Sequence, residues 1–139
     1  MNAGRLLRET GYDTDELRGA IAPVDPNQVN VWPASSVTRR FWGPGIRGVT
    51  LWRWVLVEPD MMRGERDRLA RLVIHELVHV RQFAELGYPR FMVRYLSDYV
   101  RSRLDGMSHR EAYLAISAER EAREVTASCV ANAKEDRRG

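Results

Sequence analysis

From Glu65 onward the apolar residues return every three or four positions, and that period commits the second half of the chain to helix. Leu69, Val73, Leu77, Val80 and Ala84 form one stripe, widened by Leu72 and Phe83. Gly87 can cap this helix, and Pro89 stops its continuation. A second helix is expected from about Arg90 to Leu104, with Phe91, Tyr95 and Tyr99 at i, i+4 and i+8, and Gly106 closing it. Ser108 and Glu111 fit a capping box that opens a third, in which each satisfies a free backbone donor. That helix reaches about Asn132, with a possible break near Ser117.

The chain before Pro59 is organised differently. Residues 3–9 and 14–21 read as short helices, the second opened by Thr14 as N-cap. Pro23, Asp25, Pro26 and Asn27 make a loop. Val29 to Trp32 alternates like a strand, Val37 to Trp42 reads as a second, and Gly43-Pro44-Gly45 is a turn. Gly48 to Val57 is the longest strand pattern, with Val49, Leu51, Val55 and Val57 on one parity and Arg53 breaking it. Strands in this order predict a small, mainly antiparallel three-stranded sheet, hence an α+β fold.

The 139 residues fit a single domain with one core. Residues 1–45 carry no motif that assigns them a role, and 134–139 read as a frayed polar tail. The net charge is +3, with basic and acidic residues interspersed, as in 63–68. So small and scattered an excess argues against nucleic acid as a partner. Cys129 is the only cysteine, which rules out an intramolecular disulfide. No signal-peptide pattern or apolar membrane span is visible, so the expectation is a cytoplasmic protein without a membrane partner.

His75-Glu76-Leu77-Val78-His79 lies inside the first long helix. Residues at i and i+4 point the same way, one turn apart, so two imidazoles can reach one metal ion. Glu76, offset by one residue, can face a metal-activated water and take its proton. The neighbours Ile74, Leu77, Val78 and Val80 are apolar, and polar groups in such a segment need partners or a metal. The expected cofactor is Zn2+, which needs a third protein ligand and an open position. The metzincin extension is excluded, because Gln82 and Glu85 occupy its places. His109 sits beside the capping box, where exposure is the usual fate. Glu119, flanked by Ala115 and Ala122 on a face that allows close helix approach, is the stronger candidate. Glu121 stays open as the alternative.

Here the chain resembles the gluzincins, zinc peptidases with H-E-x-x-H on one helix and a glutamate ligand on a later one. In several of their families that glutamate stands in E-x-x-A-[DN], and Glu119-Arg120-Glu121-Ala122-Arg123 matches the first four positions. Arg123 departs from the residue that usually supports the first ligand histidine. The resemblance spans about 46–130 and is nearest to the single-domain minigluzincins. It implies a zincin-like fold in which the sheet packs on the active-site helix, followed by a connecting helix and a glutamate-bearing helix. It also implies metal ligands His75, His79 and Glu119, with Glu76 as catalytic base and a peptide or protein as substrate.

In gluzincins the strand before the active-site helix can pair with an extended substrate, a place held here by Gly48 to Val57. Its alternative role is plain core. Trp52 and Trp54 share one face and line either a pocket or the core. Tyr95, Tyr99 and Tyr113, with Arg94 and His109, are candidate donors to an oxyanion, although tyrosines at helical spacing usually serve packing. Two functions therefore compete: zinc-dependent peptide hydrolysis, and a zinc-stabilised binding or regulatory module without turnover.

Overall fold

The computed structural model describes residues 1–40, 42 and 46–139. In chain order it contains α1 (Ala3–Glu9), α2 (Asp15–Ile21), β1 (Asn30–Pro33), α3 (Ser36–Arg39), β2 (Gly48–Leu51), β3 (Trp54–Val57), α4 (Pro59–Arg63), α5 (Arg66–Leu86), α6 (Tyr88–Leu104), α7 (His109–Ala115) and α8 (Ser117–Asp136). The class is α+β, as expected.

The helix ends follow local chemistry. The Thr14 side chain accepts from the Leu17 amide, and Ser108 with Glu111 forms the reciprocal capping box. Gly87 and Gly106 adopt φ of 75° and 88°, conformations that let a helix end without a Cβ clash. The third long helix breaks at the place the sequence suggests, near Ser117, because Ile116 turns extended at φ −57° and ψ 126°. Asp98 of α6 fixes the break: its carboxylate accepts from the Ser117 amide at 3.0 Å and the Ser117 hydroxyl at 2.5 Å. Glu119 consequently lies in the first turn of α8, not three turns into a helix begun at Ser108.

The sheet departs further from expectation. Its order is β1-β3-β2, with β1 parallel to β3 and β2 antiparallel to it, so it is mixed rather than mainly antiparallel. Gly48 to Val57 is a tight hairpin, not one strand, and it turns at Trp52 and Arg53. The two-residue turn swaps parity: Thr50 lies opposite Val55 on the buried face, and Leu51 opposite Trp54 on the exposed one. Trp52 and Trp54 are accordingly exposed rather than core, and Trp52 lines a cavity beside the 23–29 loop. Val37 to Arg39 belongs to helix α3, where the Ser35 side chain caps the Thr38 amide and offers a local alternative to a strand ladder. The Gly43-Pro44-Gly45 turn lies outside the described residues.

Helix α5 runs through the middle of the core. Leu69, Ala70, Val73, Ile74, Leu77 and Val78 are at most 2% exposed. Residues 1–45 supply one wall of that core through Leu6, Leu7, Leu17, Ile21, Val29 and Val31. Each of these large side chains contributes about 1.5–3 kcal/mol by leaving water. The C-terminal end is more ordered than a frayed tail, since α8 runs to Asp136 and the Arg137 guanidinium sits 4.8 Å over the Tyr12 ring.

Candidate metal centre

The i, i+4 spacing within α5 sets His75 and His79 side by side, with ring centroids 4.9 Å apart. Helix α8 crosses this face. Ala122 is fully buried at the crossing, and Glu119, one turn earlier, is inserted towards the two rings. Glu119 Oε2 lies 3.1 Å from His75 Nε2, and Oε1 lies 3.4 Å from His79 Nε2. One ligand atom from each of these residues falls within 4.8 Å of the others, so His75, His79 and Glu119 could hold a metal ion. Glu121 faces elsewhere and accepts from Gln82 and Arg81. Tyr99 bonds His109 Nδ1 at 2.8 Å in an exposed pair, which accounts for both outside the cluster.

Two further residues orient the donors. His79 Nδ1 lies 2.8 Å from Gln82 Oε1, and the Gln82 amide nitrogen donates to Glu121 and the Ala118 carbonyl. These donations fix Oε1 as acceptor of the His79 Nδ1 proton, so a metal would take the place of the second proton, the one that Nε2 turns to Glu119 in its absence. Tyr95 donates to Glu119 Oε1 at 2.8 Å. Sequence reasoning met Gln82 only as the residue that excluded a metzincin. Its position three residues after His79 on one helix was the available signal.

Glu76 is seated beside the donors. Thr50 donates to its Oε2 at 2.7 Å and to its backbone carbonyl at 3.2 Å, tying β2 to α5. The other oxygen, Oε1, packs against Gly48, where an added Cβ would come within 2.7 Å of it. Gly48 thus leaves room for this seat, and neither Gly48 nor Thr50 was legible as a site residue. Every buried histidine, glutamate, glutamine or threonine among the described residues belongs to this cluster: Thr50, Glu76, His79, Gln82 and Glu119. A core that is otherwise apolar keeps such groups only where they are paired or hold an ion.

Burial pushes the Glu76 carboxyl up, against the pull of the two histidines and Thr50. Burial opposes charge on His79 and on Glu119 too, yet their mutual contact prevails. The His79 imidazole is raised, and the Glu119 carboxyl falls far below the usual range under hydrogen bonds from His75, His79 and Tyr95. The pocket thus favours positive charge between imidazole and carboxylate, the condition a divalent cation meets. Tyr95 and Tyr113 are raised by burial and then by Glu119, so both remain protonated donors.

No family model, curated protein or solved structure matches this chain. The resemblance to gluzincins therefore rests on the motif residues themselves. His79 and Glu119, with Glu76, line a cleft of about 210 Å³ between β2 and α6, walled by Phe83, Tyr88, Phe91 and Met92, while His75 lines a cavity of about 440 Å³ that shares Glu76 and Tyr113 with it. The cavity of about 340 Å³ beside the 23–29 loop has no comparable cluster, its charged lining being Asp25 and Arg53.

Replacing Gln82 by Met is expected to keep the fold and weaken metal binding about 10–100-fold, the usual effect of losing a residue that orients a ligand. A competition titration with a chromogenic chelator measures this. Wild-type affinity in the variant would show that His79 needs no such partner.

Proposed function

We propose that the chain is a zinc-dependent peptidase of zincin-like architecture that hydrolyses a peptide laid along β2. One observation carries this reading: Glu76 is a buried carboxylate seated next to a two-histidine, one-carboxylate donor set without belonging to it. A purely structural metal site needs ligands and no base. Bound by His75, His79 and Glu119, zinc supplies Lewis-acid activation of water and polarises a carbonyl.

The chain's own residues supply the rest. Glu76 accepts the proton of the attacking water through Oε1, the oxygen that Thr50 leaves free, and passes it to the departing amine. Its raised basicity suits that task. Strand β2 pairs only with β3 among the described residues, so its outer edge offers backbone groups to an extended peptide beside the cleft. Tyr95 is committed to Glu119 and Tyr99 to His109. Tyr113 lines the cleft next to both Glu76 and Glu119 and is assigned the role of donor to the oxyanion.

The test is metal analysis followed by incubation with a mixed peptide library. The zinc-loaded chain is expected to cut peptides, to lose that activity to a chelator and to regain it on zinc addition. Full metal retention in both His75→Ala and His79→Ala would sink the site. Bound zinc with no cleavage of any peptide would replace the peptidase by the zinc-stabilised module.

A further inference from the structure

All four tryptophans of the chain fall between residues 32 and 54, and three of them avoid the core. Trp32, Trp52 and Trp54 are 53%, 66% and 60% exposed. Register accounts for two. Trp32 lies across from Leu56, which lies across from Val49; Asn30, Trp54 and Leu51 make the next row. The intervening Val31, Val55 and Thr50 point to α5 and are buried. The outer sheet face is therefore apolar and open to solvent at Trp32, Trp54 and Leu51.

Trp52 stands at the hairpin tip next to this face, 66% exposed yet lining the cavity beside the 23–29 loop with Val80 and Ala84 of α5, and has φ of 59°, a left-handed conformation that glycine adopts freely and a bulky residue resists. A two-residue hairpin turn would be served better by glycine. The chain holds an exposed indole there against the backbone's preference.

Charge is segregated in the same stretch. No acidic residue occurs between Asp25 and Glu58, while Arg39, Arg40, Arg47 and Arg53 do. Taking these four from the 22 basic residues of the chain leaves 18 against 19 acidic ones, so the whole positive balance resides here. All four are exposed. Arg53 stands in the hairpin turn. Arg47 precedes β2 and Arg39 and Arg40 end α3 after β1, so strand directions bring these three to the opposite end of the sheet. The apolar face is thus flanked by arginines at both ends.

We propose that this face docks the protein on an anionic phospholipid surface, with indoles and aliphatic side chains at the headgroup boundary and arginines on the lipid anions. Indole rings are apolar with one polar N–H, which suits them to that boundary, and an anionic leaflet attracts arginine. Leu51, Val49 and Leu56 among the tryptophans favour lipid over single-stranded nucleic acid, whose bases need aromatic platforms. A second copy on the same face would oppose two acid-free arginine sets. No helix among the described residues is long and apolar enough to cross a membrane, so the contact is peripheral. This revises the sequence-based expectation of no membrane partner, and it stands independently of the metal site. Leu51 belongs both to this face and to the cleft wall, so docking brings the cleft to the lipid surface.

The experiment is co-sedimentation of the 139-residue chain with phosphatidylcholine vesicles, with and without phosphatidylserine, alongside tryptophan emission. Binding should require phosphatidylserine, shift the emission to the blue and weaken in high salt. Arg47→Ser with Arg53→Ser should weaken binding about 5-fold per arginine, matching about 1 kcal/mol for each at an anionic surface. Trp52→Gly should weaken binding while leaving the melting temperature unchanged or raised, a combination that a merely structural Trp52 would not give. The proposal is overturned by absence of binding, by equal binding to both vesicles, or by unchanged binding in both variants. It is equally overturned if an oligothymidylate displaces the vesicles, or if the free protein is a dimer with quenched, buried indoles.

Discussion

Glu76→Gln is expected to retain zinc and fold while peptide hydrolysis falls about 10²–10⁴-fold, the usual contribution of a general base. The side chain is 4% exposed, and its Oε2 already accepts from Thr50. The amide of glutamine is nearly isosteric, fits the gap against Gly48 and still offers Thr50 a carbonyl oxygen. What it lacks is proton affinity. The substitution also removes a charge that burial disfavours, an effect that outweighs the pull of His79, His75 and Thr50 on the Glu76 carboxylate. The variant should therefore melt no lower than wild type. Metal content, a thermal melt and the rate on one cleaved peptide decide the matter together. Loss of zinc as complete as in His79→Ala would mean that Glu76 is a ligand and that another group is the base.

Glu119→Ala is expected to weaken zinc binding by more than about 100-fold, beyond the range seen for residues that merely orient a ligand. Two neutral imidazoles leave the 2+ charge uncompensated, and Glu119 is the carboxylate within reach of both Nε2 atoms. The loss also strips the Tyr95 hydroxyl of its acceptor. Glu121→Ala provides the contrast. Glu121 touches the site only through Gln82, so its removal should cost about 10-fold or less. Zinc competition on the two variants separates the roles. Unchanged affinity in Glu119→Ala, or a larger loss in Glu121→Ala, would reverse them.

Much of the site was legible because its first parts share one helix. The i, i+4 rule places His75 and His79 together and Glu76 beside them without reference to the rest of the chain. The caps at Thr14, Gly87, Gly106 and Ser108 are local in the same sense, which is why the starts of α2 and α7 and the ends of α5 and α6 fall where the residues predict. Glu119 could be favoured over Glu121 from the flanking alanines and the E-x-x-A resemblance, but its direction in space was not written in α8 alone.

That direction depends on Asp98, which caps Ser117 from another helix and breaks α7 from α8. Without the break, Glu119 would continue the rotation begun at Ser108 and face another way. The sheet follows the same logic. Alternation described each half of the 48–57 hairpin, but the Trp52-Arg53 turn reversed the parity and sent Thr50 to Glu76 and Trp54 to solvent. Residues 1–45 looked unassigned because their leucines and valines acquire a role only against α5. A sequence fixes side-chain direction within one regular element, where the backbone repeat is constant. Between elements, direction is set by hydrogen bonds and packing that join residues far apart in the chain, and only the tertiary structure decides those.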